Sequence, residues 1–223
     1  MTLKNTLRAI AAASVIAAGS AQAAVVVLDF EGIANGAAVG NYYNGAVGGG
    51  TNYGVSFSPA TLASVDCDVP GVDPNNCGNF ANEPSANTIM FFTAANNAIL
   101  TVAAGFQGGF SFFYSSAVAA NVTVWDGVNG TGTLLATIAL TAQAFSSCSG
   151  DPTGAFCNWT NAGSMFNGVA KSINFGGAAN ATGFDNITFG SSTAGSGGVP
   201  EPMSLALVGA ALLGLAASRR NKA

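Results

Sequence analysis

Short runs of β-branched and aromatic residues, each closed by a cluster of turn formers, fill most of this chain and leave almost no helical signal in its middle. The runs are 25–30, 53–58, 88–93, 98–103, 109–114, 121–125, 133–140, 170–175 and 184–189. Between them stand Asn44-Gly45, Gly48-Gly49-Gly50, Asp126-Gly127 and Asn129-Gly130, residues that reverse a chain because they tolerate positive φ. Val122 and Val124 alternate with Thr123 and Trp125, and Ile173 and Phe175 with Ser172 and Asn174, the period of a half-buried strand. Many short strands so punctuated predict an all-β fold, an antiparallel β-sandwich of jelly-roll type. No internal repeat interrupts the pattern.

The two ends read differently. Lys4 and Arg8 precede an apolar stretch over 9–18, and Ala21-Gln22-Ala23 has the small-x-small pattern of a signal-peptidase site. Residues 1–23 are therefore expected to be a cleaved signal peptide, with Ala24 opening the mature chain. At the other end, residues 191–198 are a Gly/Ser/Thr/Ala linker, followed by Val199-Pro200-Glu201-Pro202, an apolar run over 203–217, and Arg219, Arg220 and Lys222. The prolines hold an extended segment just before the apolar run. As a helix, that run would be roughly 22 Å long, a marginal span of a hydrocarbon core about 30 Å thick. The trailing cations place its end in the cytoplasm and the rest of the chain across the membrane.

This arrangement resembles the tripartite PEP-CTERM sorting signal of exported bacterial proteins. The resemblance covers only residues 199–223. It implies that an exosortase releases the transmembrane helix near the Pro-Glu-Pro motif and that the protein reaches the cell surface or extracellular matrix, in association with exopolysaccharide. A permanent C-terminal anchor is the competing account.

With the targeting ends set aside, about 175 residues remain, enough for one domain with its own core. Ten acidic residues lie between Asp29 and Glu201 and face Lys171 alone, a net charge of −9 for a chain whose overall charge is −4. Nucleic acid and anionic membrane surfaces, which need basic patches, are disfavoured as partners of the domain. The four cysteines fall into two local pairs, Cys67 with Cys77 and Cys148 with Cys157. Near neighbours close at least entropic cost, so two local disulfides are expected, in keeping with an oxidising compartment. A zinc site is disfavoured, since the chain has no histidine and neither pair has CxxC spacing.

The absence of histidine also removes Ser-His-Asp and Cys-His catalysis. Two carboxylates suffice for glycoside hydrolysis, and Asp66, Asp68, Glu83, Asp126 and Asp151 are available. None is marked as a pair, so no catalytic residue is assigned and the chain is read as a non-enzyme. The Asp66-Cys67-Asp68 loop with Asp73 lacks the EF-hand offsets and reads as solvated. Asp126-Gly127 reads as a hairpin turn.

One acidic pair stands apart. Alternation places Asp185, in Phe184-Asp185-Asn186-Ile187-Thr188-Phe189, on the face of Ile187 and Phe189, where an unpaired carboxylate is costly. Glu31, with Asp29 beside it, closes the first strand and meets Asp185 if the first and last strands are neighbours. An early Glu paired with a late FDNITF-like strand resembles the structural calcium site of carbohydrate-binding-module-like jelly rolls. The resemblance implies a structural Ca²⁺ on Glu31 and Asp185. The simpler account has Asp185 capping a turn or bonded to backbone amides, with Asp29 and Glu31 solvated. A lectin-like carbohydrate-binding module is the second reading of function, with Trp125 and Trp159, and after them Tyr42, Tyr43 and Tyr53, as sugar-stacking candidates.

Overall fold

Alternating burial along the strands carries the fold, and the strands are tied antiparallel throughout. A computed structural model describes residues 25–94, 98–146, 154–176 and 179–195, within one unit, Val25–Gly197. The strands are β1 (Val26–Leu28), β2 (Val55–Phe57), β3 (Thr61–Val65), β4 (Thr88–Phe92), β5 (Ile99–Ser116), β6 (Ala120–Trp125), β7 (Leu134–Leu140), β8 (Thr160–Asn174) and β9 (Thr182–Phe189). A 3₁₀ turn, Val128–Gly130, sits between β6 and β7. The ladder runs β3-β4-β9-β5-β8-β6-β7, with β1 added beside β9 and β2 beside β5. Among the described residues no helix is long and apolar enough to cross a membrane; the expected signal peptide and the 203–217 helix lie outside those residues.

One continuous ladder forms a sandwich because β5 and β8 are long and bent. Residues 99–101 of β5 pair with 172–174 of β8, and 106–114 pair with 160–170, with irregularities between Thr101 and Phe106 and between Phe106 and Gly108. Gly105 stands there at φ +79°, a conformation open to glycine and strained for most other residues. One layer is β3, β4, β9, the later half of β5 and the early half of β8. The other is β2, the early half of β5, the late half of β8, β6 and β7. Their inner faces meet in a phenylalanine core. The Phe175 ring, just past β8, lies 6.1 Å from Phe112 and 4.9 Å from Phe184, and Phe92 stacks on Phe184 at 5.7 Å. Val122, Val124 and Ile173 are fully buried there.

Three expectations are revised. The runs 98–103 and 109–114 are one 18-residue strand; the Ala/Gly-rich stretch between them has low strand propensity, and its ladder with β8 holds it extended. Residues 160–169, not among the expected runs, form the first half of β8. That half is a rim strand with alternate residues exposed, held by ladder bonds to β5 more than by buried side chains. Residues 61–65 form β3, a short strand directly after the Ser58-Pro59 turn.

A second apolar layer covers the outer face of β4 and β9. Phe80, Ala81, Ile89, Ala144 and Cys157 are buried but lie apart from the core between the sheets. Phe80 and Phe156 pair in a parallel bridge, reinforced by Ala81 N–H to Phe156 O (3.2 Å) and Phe156 N–H to Asn79 O (3.1 Å). Cys67–Cys77 is a disulfide, as the spacing predicts. Cys157 is also disulfide-bonded; Cys148, its expected partner, lies outside the described residues.

The described part of the expected linker, 191–195, lies against the outer face of the first layer. Ser111 Oγ donates to Ser191 O (2.9 Å), Gly195 N–H donates to Thr188 Oγ1 (3.0 Å), and Ala194 is buried. A Cβ on Gly163 of β8 would collide with Ser192 O, so glycine there admits the passing segment.

Candidate functional site

The first and last strands are neighbours, and this brings the expected acidic pair to one place. β1 pairs with β9, Leu28 opposite Ile187, while β4 meets β9 at Met90 and Phe184. Asp185 therefore sits where the edge of β9 passes from β4 to β1, and the 83–88 loop descends into that gap. Its face differs from the expectation. Asn186 has φ +47°, and the four residues of β9 from Asp185 to Thr188 oppose the three of β5 from Ser111 to Phe113. This β-bulge absorbs one residue, so Phe184 shares the core face with Ile187 and Phe189 and Asp185 points to the opposite, outer side. It is still fully buried, 0 % exposed, because the 83–88 loop covers it.

Backbone strain sets the position of Glu31. Phe30 has φ +63°, uncommon for a bulky residue, and is held there by a hydrogen bond from its N–H to Tyr43 Oη (2.7 Å) and by packing on Tyr43 and Phe57. The next side chain, Glu31, then reaches the 85–88 loop. Its Oε1 accepts from Asn87 N–H and Thr88 N–H, both 2.9 Å, and its Oε2 from Thr88 Oγ1 (3.3 Å). Asp185 accepts from Ser85 N–H and Asn186 N–H, both 2.6 Å. Backbone amides thus bind both carboxylates; the simpler account anticipates this for Asp185, but not for Glu31, which it leaves solvated and which the 85–88 loop instead engages.

Ser85 joins the two. Its Oγ lies 3.2 Å from Asp29 O, 3.1 Å from Glu31 Oε1 and 3.2 Å from Thr88 O. One hydroxyl hydrogen serves one of those three acceptors at a time. Acceptors also exceed donors in charge. Burial, with the nearby Glu31 charge, pushes Asp185 up to about 7 against the lowering effect of its amide bonds. Burial, the Asp66 charge and a hydrogen bond with Asp66 push Glu83 up to about 7 as well. No cation answers them: Lys171, the single Lys or Arg in 25–195, acts on Asp126.

Calcium takes six to eight hard oxygens, carboxylate and carbonyl together. Glu31, Asp185, the carbonyls of Asp29 and Thr88, and the Ser85 hydroxyl are such a donor set, and the surplus of acceptors and of negative charge fits a divalent cation. Among the described residues no three Cys, Asp or Glu side chains gather as a metal cluster; the set has two carboxylates and draws the rest from neutral oxygens.

The remaining expected residues are elsewhere. Asp29 is exposed and accepts from Glu31 N–H (3.3 Å) and Tyr43 Oη–H (3.4 Å). Asp66 is not solvated: it is 6 % exposed, accepts from Asp68 N–H (2.9 Å) and faces Glu83, because the disulfide loop folds over the sheet. Asp126 caps the β6–β7 hairpin by accepting from Thr133 N–H (2.6 Å), which lowers its pKa. Trp125 and Trp159 are half-buried; their indole N–H groups donate to Thr123 Oγ1 and Ala81 O, both 2.9 Å, and Trp159 meets Phe80 edge-on. Tyr43 is buried while Tyr53 is 40 % exposed. Ala21, Ala23, Ala24, Cys148, Asp151 and the Val199-Pro200-Glu201-Pro202 motif lie outside the described residues. Sequence reasoning missed Ser85 and the Glu83–Asp66 contact, since both depend on how the disulfide loop and the 83–88 loop meet.

No family model matches the chain, and no curated protein matches it. Among solved structures, the K2 cleaved adhesin domain of Lys-gingipain (Kgp) is similar over 77% of this chain and 98% of that domain, at 12% identity and a TM-score of 0.38.

Proposed function

We propose that this chain is an exported, exosortase-sorted, non-enzymatic domain of the bacterial surface or extracellular matrix, associated with exopolysaccharide. Its β-sandwich is of jelly-roll type and takes one structural Ca²⁺ on Glu31 and Asp185. The observation that carries the cation reading is the convergence of three acceptor oxygens on the one Ser85 hydroxyl beside two buried or half-buried carboxylates with no basic partner. The cation supplies the missing positive charge. Glu31, Asp185 and Ser85 then fix the 83–88 loop across the β4–β1 gap, and the role is structural.

The non-enzymatic reading is supported by the carboxylate pair in contact among the described residues. Glu83 and Asp66 share a hydrogen bond, whereas glycosidase carboxylates stand about 5 Å or more apart to flank a sugar ring. The export reading is supported by the two ends of the sequence. Mass spectrometry of the secreted protein tests it: an N-terminus at Ala24 and a C-terminus near Glu201 are expected, and retention of 203–223 would replace sorting with a lasting anchor. For the cation, thermal melting in calcium against EDTA is expected to give a higher midpoint with calcium in the wild type. The gain should vanish in Glu31→Gln, and equal wild-type midpoints would remove the calcium reading.

A further inference from the structure

The outer layer borders a solvent-open pocket of about 200 Å³ between the disulfide loop and the sheet. Its walls are aromatic and aliphatic: Phe80 and Phe156 from the loops, Ile89 and Phe91 from β4. Its polar lining includes Ser64, Asn79 and Asn180, and among the described residues no charged side chain takes part. The Asn79 carbonyl oxygen accepts from Ala155 N–H (3.0 Å), which leaves the two amide hydrogens of Asn79 uncommitted among the described residues. Asn180 donates to Thr93 O at 3.4 Å and keeps its carbonyl oxygen. Ser64 Oγ has no hydrogen-bond partner there. The roof is held in place by the Cys67–Cys77 disulfide and by the Phe80–Phe156 bridge, so little ordering remains to oppose a ligand.

These features select a ligand class. A cavity of roughly 150 Å³ holds one benzene ring, so this one is sized for a single six-membered ring with substituents. Apolar walls with a few uncommitted donors and acceptors suit a molecule with a C–H face and a hydroxyl rim. The uncharged lining and the domain's net negative charge turn away anions. We propose that the cavity between Phe80, Phe91, Phe156 and Asn180 is a binding site for one neutral pyranose unit of a glycan. Phe91 and Phe156 take the apolar face of the ring, and Ser64, Asn79 and Asn180 take its hydroxyls. The site is separate from Glu31, Ser85 and Asp185, and it lies beside Trp159 without using that indole or Trp125 as the stacking surface. The inference assigns a location to the glycan association proposed above and fails independently of the export and calcium readings.

The test is a titration of the isotope-labelled mature protein with the methyl pyranosides of glucose, galactose, mannose and N-acetylglucosamine, followed by amide chemical shifts. At least one sugar is expected to shift Ser64, Asn79, Phe91 and Asn180, with a dissociation constant on the order of 1 mM, as befits a ligand this small. Ser64→Leu, which fills the cavity from a half-exposed strand position, is expected to abolish the shifts. Asn180→Gly tolerates the φ of +55° at that position and is expected to weaken binding about tenfold, the loss of one good hydrogen bond. Silence of the wild-type residues toward every sugar overturns the proposal, whatever the variants do. Shifts that map to Trp125, or binding unchanged in a folded Ser64→Leu, overturn the location. A response to benzyl alcohol with none to the sugars overturns the ligand class.

Discussion

The two sides of β9 are held by different physics. On the inner side Phe184, Ile187 and Phe189 pack into a continuous apolar core fed by both layers of the sandwich, and its cohesion depends only on area removed from water. On the outer side Gly183 lies beneath a smaller apolar layer that includes Phe80 and Trp159, and Asp185 beneath the polar 83–88 loop. That layer is held by disulfides, by backbone bonds between the 76–83 and 154–158 segments, and by amides gathered around carboxylates. The inner side needs nothing from its surroundings. The outer side depends on an oxidising compartment and on how its acids are neutralised, and both candidate sites are on that side.

Paired variants would break or sharpen this contrast most strongly. Phe184→Ala leaves a cavity among Phe92, Phe112 and Phe175, and truncations of this kind cost about 3–5 kcal/mol; urea denaturation should show one transition at a much lower midpoint. Replacing Cys67 and Cys77 together by Ala releases a ten-residue separation, for which the chain-entropy relation gives about 2–3 kcal/mol. The loss should be local. Trp159 fluorescence, which reports the outer layer through Phe80, should change before the far-UV β signal does, whereas in Phe184→Ala the two probes should move together. Coincident transitions in the double cysteine variant would show that the outer layer is part of one cooperative unit.

What the sequence revealed divides along the same line. Strands facing the core were legible because burial imposes period two: Val122 and Val124 against Thr123 and Trp125, or Ile173 and Phe175 about Asn174. Ser172 fits the alternation yet is buried on its own face, since the β6–β7 turn covers it and bonds its hydroxyl through Gly130 N–H (2.8 Å) and Gly127 O (2.5 Å). The first half of β8 was not legible, because a rim strand held by ladder bonds carries no burial signal. The meeting of Glu31 with Asp185 followed from adjacency of the first and last strands. The side on which Asp185 is buried did not, because a bulge at Asn186 moves every later residue by one and no composition marks it. Ser85, Glu83 and the Phe80–Phe156 roof come from loops whose partners are distant in sequence, Ser85 and Asp185 being 100 residues apart. Local cysteine spacing and the Asp126-Gly127 hairpin turn were the loop features strong enough to read.

A pH series gives the finest distinction between the two sides. Asp185 and Glu83 have ordinary values of 3.8 and 4.5 and are pushed up to about 7 in the fold. Between about pH 4 and pH 7 the native state therefore holds protons that the unfolded chain has released, so stability falls as pH rises across that window and levels off above it. Each retained proton contributes a slope of at most about 1.4 kcal/mol per pH unit, and the half-exposed Glu83 contributes less than Asp185 because solvent screens it. Denaturation midpoints measured in EDTA should trace this decline. Calcium favours the ionised carboxylates and should flatten it. Asp185→Asn, which no longer titrates, should remove the larger share of the slope, while Phe184→Leu on the inner side should displace the whole curve and leave its slope intact. A wild-type profile already flat in EDTA would mean that the outer acids are neutralised within the fold, and the contrast between the two sides of β9 would then reduce to disulfides alone.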